Sequence, residues 1–275
     1  MTTDVNQEYE ALRRESFGWI KAAARIALER LGRADVTRKH DKSPVTDADH
    51  AVQDALLASI AKLYPQDAVI TEEIQSRPDV HQPVSRSGRC WVIDPIDGTR
   101  NYVRAIPVFT VSVAVMENGQ PVVGMVYDPV ADRMYSASIG AGAWVNADRI
   151  ERREVPTWNE VYMGIPTSKH EQLPPVVHRW IDTMVVRNFG STAMHLSLLA
   201  TGSLDAVYCK KSKLWDIAAG AVIACETGAE VLSLDGREHF PMDLSHYANE
   251  PLPMIAARPD LVERLLAEYR TAQMS

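Results

Sequence analysis

A chain of 275 residues with 46% hydrophobic and 24% charged residues has the make-up of a soluble globular protein of one large or two modest domains, able to bury a substantial core. Its net charge of −7 excludes a broad electrostatic grip on nucleic acid or on an anionic membrane. No apolar run approaches the roughly 18 residues of a membrane span, the start MTTDVNQEYE is too acidic for a secretory signal, and Cys90, Cys209 and Cys225 lack metal-ligand spacing, so the expectation is a cytoplasmic protein with a small-molecule partner.

Residues 8 to 31 put Leu12, Trp19, Ala23, Ala27 and Leu31 near one helical face, with Gly32 as the stop, which predicts a long amphipathic helix. After the polar link TRKHDKSP a second helix opens at Thr46, carries Val52, Leu56, Ile60 and Leu63 on one stripe, and ends before Pro65. Short strands follow at DAVIT and RCWVID. FTVSVAVMENGQPVVGMVYDP then reads as two strands joined at Asn118-Gly119, the strongest short hairpin signal. RMYSAS and AWVNA extend the pattern into an antiparallel meander. Past residue 150 strands alternate with helices: strands at VYMGI, DAVYC, EVLSL and PMIAA, helices at STAMHLSLLA, WDIAAGAVIACE and PDLVERLLAEYR. The fold class is α/β (α+β), divided into residues 1–150 and 151–275 by a change of architecture without a Gly/Ser-rich linker.

The chemistry concentrates in WVIDPIDGTRNY, where an apolar strand runs into Asp94 and Asp97 and then Gly98-Thr99. Two carboxylates this close repel each other unless a positive charge lies between them, and a divalent cation such as Mg²⁺ is the economical answer. Gly98 and Thr99 offer turn amides and a hydroxyl suited to a phosphoryl oxygen. An acidic turn with Asp97-Gly98 as turn residues is the plain alternative. Phosphatases that use an aspartate nucleophile place one residue between two such aspartates; here Pro95 and Ile96 intervene, which argues against a phosphoaspartyl enzyme. Other acidic groups also have two readings. Glu72-Glu73 closes the preceding strand and either joins Asp94 or is a solvated loop. Asp216 complements the dipole of its helix or faces the site. Asp49, in SPVTDAD, completes a capping box with Thr46 or serves chemistry.

Taken together and in order, SPVTDAD with Glu72 placed 23 residues after Asp49, DPIDGT at 94–99, GSTA at 190–193 and WDIAAG at 215–220 resemble the inositol monophosphatase family, Mg²⁺-dependent and lithium-sensitive phosphomonoesterases related to fructose-1,6-bisphosphatase. The resemblance implies a layered αβαβα sandwich and a homodimer. It implies two to three Mg²⁺ ions: one on Glu72, Asp94 and the carbonyl of Ile96, a second on Asp94, Asp97 and Asp216, a third near Glu72. It further implies that Thr99 and Asp49 orient and deprotonate an attacking water together with Glu72, for direct in-line displacement on a phosphate ester. The substrate would meet Asp97, Gly98, Thr99, Gly190, Ser191, Thr192, Cys209 and Asp216.

Inositol-selective members carry a glutamate six residues before the Trp-Asp pair, and here that position is Cys209, which cannot accept two hydroxyl protons as a carboxylate does. Lys210, Lys211, Lys213, Arg100 and Arg104 either favour a second negative group on the substrate or form a solvated basic edge. Arg100 resembles the histidinol-phosphate branch of the family, Asn101-Tyr102 the inositol branch. The expected activity is inositol-1-phosphate hydrolysis, with histidinol phosphate, 3′(2′)-bisphosphates or fructose 1,6-bisphosphate as alternatives, and a non-catalytic regulatory partner as the alternative of another class. His195 is expected to pack rather than to ligate, and Trp19, Trp91, Trp144 and Trp215 to lie in the core.

Overall fold

The computed structural model describes residues 2–39, 43–73, 88–151, 160–166 and 173–273. Helix α1 (Thr2–Arg30) buries Leu12, Ile20, Ala23, Ala24 and Ala27, and helix α2 (Asp47–Leu63) buries Val52, Leu56 and Ile60. In both, these residues recur every three or four positions and so share one face. Before α2 the chain makes a two-stranded ribbon, β1 (Val36–Arg38) antiparallel to β2 (Pro44–Thr46).

The two helices cover one face of a seven-stranded sheet whose strands run in chain order: β3 (Ala68–Thr71), β4 (Arg89–Asp97), β5 (Thr110–Glu117), β6 (Gln120–Asp128), β7 (Arg133–Ser138), β8 (Gly142–Val145) and β9 (Asp148–Arg149). Only β3 and β4 are parallel; the rest is an antiparallel meander. The β5–β6 turn has Asn118 at φ 51° and Gly119 at φ 78°, the pair of left-handed residues that a two-residue hairpin of matching twist requires. Because side chains alternate along a strand, Trp91, Ile93, Val113 and Val115 meet α1 and α2, while Cys90, Val92, Ala114 and Met116 face the opposite way.

That opposite face packs on helices α5 (Thr192–Ala200) and α6 (Leu214–Cys225). Helix α6 is apolar nearly all round, as a helix enclosed between two layers must be. It comes so close to β6 that a Cβ on Gly124 would stand 2.2 Å from the carbonyl oxygen of Ala219. Beyond these helices lies a five-stranded mixed sheet of order β11-β10-β12-β14-β13, from β10 (Tyr162–Gly164), β11 (Val185–Arg187), β12 (Ala206–Cys209), β13 (Glu230–Ser233) and β14 (Met254–Ala257). Its outer face carries Met163, Tyr208 and Ile255 against α4 (Pro175–Thr183) and α7 (Pro259–Gln273). The order is helix, sheet, helix, sheet, helix, the layered sandwich expected from the sequence.

Several short elements were not legible beforehand, among them the β1–β2 ribbon beside what reads as a polar link, the helix Thr99–Val103, β9, α4 and β11. Helix α4 is nine residues long and starts behind consecutive prolines, and β11 has three residues; runs this short carry too few repeats for periodicity to register. Helix α1 begins at Thr2, ahead of its first apolar contacts.

Candidate active site

The site begins where β3 and β4 end together. Their parallel register pairs Thr71 with Ile93, and the Glu72 amide donates to the Ile93 carbonyl at 3.2 Å, so Glu72 emerges beside Asp94. Gln53 of α2 fixes this end: its Nε2 donates to the Glu73 carbonyl at 3.2 Å and its Oε1 accepts from the Thr71 hydroxyl at 2.5 Å. Asp94 and Asp97 are three residues apart, and on a regular strand that odd spacing would send them to opposite faces. The ladder prevents this. Asp94 pairs with Ser112 and Asp97 with Thr110, so three steps on β4 match two on β5, and the bulge turns both carboxylates the same way. Pro95 sits inside the bulge, where a missing N–H breaks no regular ladder.

The two buried helices between the sheets supply the remaining constraints. Asp97 reaches the N-terminus of α5, where its Oδ2 accepts from Ser191 Oγ at 2.7 Å and from the Ala193 amide at 2.6 Å, a favourable place for a carboxylate. Asp216 lies in the first turn of α6 and accepts from the Lys213 amide at 2.6 Å. Carboxylate oxygens of Asp94, Asp97 and Asp216 all lie within 4.8 Å of one another. Together with Glu72, Ile96, Gly98, Thr99, Arg100, Asn101, Ser43, Pro44, Pro166 and Gly190 they line a cavity of about 210 Å³.

Convergence of like charges out of water has a clear electrostatic signature. Burial, then Glu72, Asp97 and Asp216, push the Asp94 carboxyl well above the ordinary carboxylate range. Asp216 is raised in the same way by burial, Asp97 and Glu72. Burial also pushes Asp97 up to about 6, although its hydrogen bonds from Ser191 and Ala193 pull the other way. Among the described residues, Lys39 is the cation that answers this charge. Lys39, at the end of the β1–β2 ribbon, donates to Glu72 at 2.6 Å and also pairs with Glu73. Burial alone would depress its amine, but the two glutamates hold it above its usual value. Glu73 is raised to about 7 by burial and by Glu72 despite this partner. Lys39 is the charged neighbour that sequence reading missed; the signal available was one of the cations of the polar link TRKHDKSP, just ahead of a carboxylate-rich chain segment.

Asp49 and Thr99 meet across the cavity edge. The capping box expected from the sequence forms: Asp49 Oδ2 accepts from the Thr46 amide at 2.8 Å and its hydroxyl at 2.6 Å, and Thr46 Oγ1 accepts from the Asp49 amide. The other oxygen, Oδ1, stands 3.5 Å from Thr99 Oγ1, which also has the Ile96 carbonyl at 3.0 Å. Capping and site geometry are thus shared by one residue. Burial raises the Asp49 carboxyl to about 6, against the hydrogen bonds from Thr46. Gly98, at φ 107°, turns the chain from β4 into the short helix α3 (Thr99–Val103). A Cβ there would meet Val108 O at 3.2 Å and Phe109 Cα at 3.3 Å. Asn101 ties this turn to the α5 approach by donating to the carbonyls of Val108 at 2.8 Å and Phe189 at 2.7 Å.

Of the residues singled out from sequence, Glu72, Asp94, Ile96, Asp97, Gly98, Thr99, Gly190 and Asp216 all line the cavity. Ser191 and Thr192 stand one layer behind, supporting Asp97 through the Ser191 hydroxyl and the Thr192 amide. Cys209 lies in the core between the sheets rather than on the cavity wall, its Sγ 4.0 Å from Thr192 Oγ1, and burial pushes its thiol up to about 11. The alternation of β12 explains this placement, since Val207 and Cys209 point to α5 and α6 while Ala206 and Tyr208 point outward. His195 is fully buried and its Nε2 accepts from the Phe189 amide at 3.0 Å; burial lowers it to about 4, so it packs as a neutral ring. Among the described residues no helix is long and apolar enough to cross a membrane.

Comparison with known proteins finds matches along nearly the whole chain. The model of the inositol monophosphatase family matches residues 8–273. The Nus factor SuhB of Pasteurella multocida is 32% identical over 245 residues, 86% of each chain. The inositol-1-monophosphatase of Bacillus subtilis is 29% identical over 265 residues, covering 93% of this chain and 95% of that one. The IMPase of Thermotoga maritima superposes with a TM-score of 0.81 at 25% identity, over 95% of this chain and 97% of the other.

Proposed function

The chain belongs to the inositol monophosphatase family, and on that premise we propose that it is a Mg²⁺-dependent phosphomonoesterase that hydrolyses a small phosphate ester by direct attack of water. The observation that carries this reading is the meeting of Asp94, Asp97 and Asp216 oxygens within 4.8 Å, in a cavity that Glu72 also lines. Carboxylates that converge with Asp94 and Asp97 buried and Asp216 half-buried, offered as an all-oxygen donor set beside a backbone carbonyl, fit a hard divalent cation. Glu72, Asp94, the Ile96 carbonyl, Asp97 and Asp216 would hold two to three Mg²⁺ ions. When bound, the cations would offset the negative charge on the phosphoryl and leaving oxygens in the transition state and would lower the pKa of a bound water so that it can attack.

The protein's own groups do the rest. Thr99, held between Asp49 and the Ile96 carbonyl, orients the attacking water through its hydroxyl and passes a proton toward Asp49. A carboxyl raised to about 6 suits that task near neutral pH. The amides at the Gly98 turn receive phosphoryl oxygens, and Ser191, Thr192 and Ala193 keep Asp97 in place by donating to it. Attack is in line with the leaving alcohol, with inversion at phosphorus and no phosphoenzyme.

The test is phosphate release from myo-inositol 1-phosphate and L-histidinol phosphate, compared as kcat/KM with Mg²⁺ and with EDTA. Mg²⁺-dependent release that Asp94→Asn abolishes supports the proposal. No release from either ester, or release unaffected by Asp94→Asn, refutes it. Relatives that carry the name Nus factor suggest a second reading, a partner role in a larger assembly. Retention of the whole oxygen donor set argues that any such role stands beside catalysis and does not replace it.

A further inference from the structure

Among the described residues a single basic residue lines the cavity, at a point where its wall is exposed to solvent. Its buried side is made by Asp94, Ile96, Asp97 and Gly98, with Glu72, Thr99 and Asp216 half-buried beside them; Arg100 is the only lining residue that is exposed. Lys39, and the cations named from sequence other than Arg100, are elsewhere or occupied. Lys39 is committed to Glu72 and Glu73, Lys213 donates to the Asn249 carbonyl, Lys210 and Lys211 engage neighbours in the chain, and Arg104 does not line the cavity. Arg100 has four carboxylates in the same cavity, yet among the described residues it forms no ion pair, side-chain hydrogen bond or ring contact. Its charge is unspent in the folded chain.

At about 210 Å³ the cavity is smaller than most ligand pockets, so an ester whose phosphate sits on the carboxylate side must extend its alcohol portion to the mouth. A guanidinium presents a planar fork that matches carboxylate and phosphate geometry and gives little to a neutral hydroxyl. We propose that Arg100 is a specificity residue and that the substrate carries a second anionic group, a carboxylate or a phosphate, on its alcohol portion, held by Arg100 at the cavity mouth. This rests on the phosphomonoesterase reading and narrows it, ranking neutral polyol phosphates below doubly anionic esters.

The experiment uses the full chain with Mg²⁺ and three esters of matched size: glycerol 3-phosphate, 3-phosphoglycerate and glycerol 1,3-bisphosphate. The wild type is expected to favour one or both of the doubly anionic esters over glycerol 3-phosphate by at least about tenfold in kcat/KM, mostly through KM. In Arg100→Gln that ratio collapses toward one, and Arg100→Lys restores part of it. Preference for 3-phosphoglycerate alone identifies the second group as a carboxylate; preference for the bisphosphate alone identifies it as a phosphate. A wild type that hydrolyses all three without preference, or an Arg100→Gln variant with an unchanged ratio, overturns the assignment of Arg100 while leaving the phosphatase reading intact. No release from any of the three, nor from inositol or histidinol phosphate, overturns both.

Discussion

Neutralising Asp97 should stabilise the metal-free protein and abolish most of its stabilisation by Mg²⁺. Raising this carboxyl from its ordinary 3.8 to about 6 means that ionising it inside the folded chain costs about 3 kcal/mol relative to the unfolded chain at neutral pH. For 275 residues the unfolding entropy is about 0.6 kcal/mol per degree, so removing that cost with Asp97→Asn should raise Tm by about 5 °C in EDTA at pH 7.5. An asparagine oxygen can still accept from Ser191 and Ala193, which keeps the α5 contact. The sign follows from proton counting. Between pH 3.8 and about 6 the folded wild type binds more protons than the unfolded chain, so its stability falls as pH rises through that window. Below it Asp97 is protonated and the two proteins should melt together; above it the gap is full. With Mg²⁺ at about 100 times its Kd, the wild type gains about 2.7 kcal/mol, again about 5 °C, and the variant gains little. Calorimetric melts of both proteins at pH 3 and 7.5, with EDTA and with Mg²⁺, measure every arm. A variant no more stable than wild type at pH 7.5 in EDTA, or one that keeps the full Mg²⁺ shift, would refute the claim that these carboxylates meet around a cation.

Thr99→Val should lower kcat by about a hundredfold or more with KM within a few-fold, while Thr99→Ser keeps most of the rate, as steady-state kinetics on one ester will show. Lys39→Met removes the cation that bridges Glu72 and Glu73; because Lys39 and Glu72 are only partly buried, the metal-free protein should lose about 1 to 3 kcal/mol. That loss should be larger at pH 8 than at pH 5.5, since Glu73 is ionised above about 7, and melts at the two pH values check it. Gly98→Ala places a Cβ at φ 107° with backbone at 3.2 and 3.3 Å, so it should cost about 1 to 3 kcal/mol and most of the activity. Unchanged melting and turnover in that variant would mean that the turn is not strained.

Much of the molecule is legible in the sequence because it depends on local rules. The alternation in FTVSVAVMENGQPVVGMVYDP, the Asn118-Gly119 turn and the apolar stripe of α2 each arise within a short window, and the ladder and burial agree with them except at Leu63, which is exposed at the end of the stripe. The residue types of the site are equally local: Glu72, Asp94, Asp97 and Asp216 are hard oxygen donors whatever their surroundings, and their order along the chain carries the family resemblance. What the sequence alone left undecided is which way those side chains point and what shares the space with them. The bulge that aligns Asp94 with Asp97 is a matter of register between β4 and β5, and the seat of Asp97 on α5 joins residues 94 apart. Lys39 was read as part of a polar link because nothing nearby in sequence marks it as the partner of Glu72, 33 residues on. Cys209, expected on the cavity wall, faces the core because the alternation of β12 puts it there. Composition and spacing are properties of neighbours along the chain, whereas facing, burial and charge compensation belong to groups that only folding brings within a few ångströms of each other.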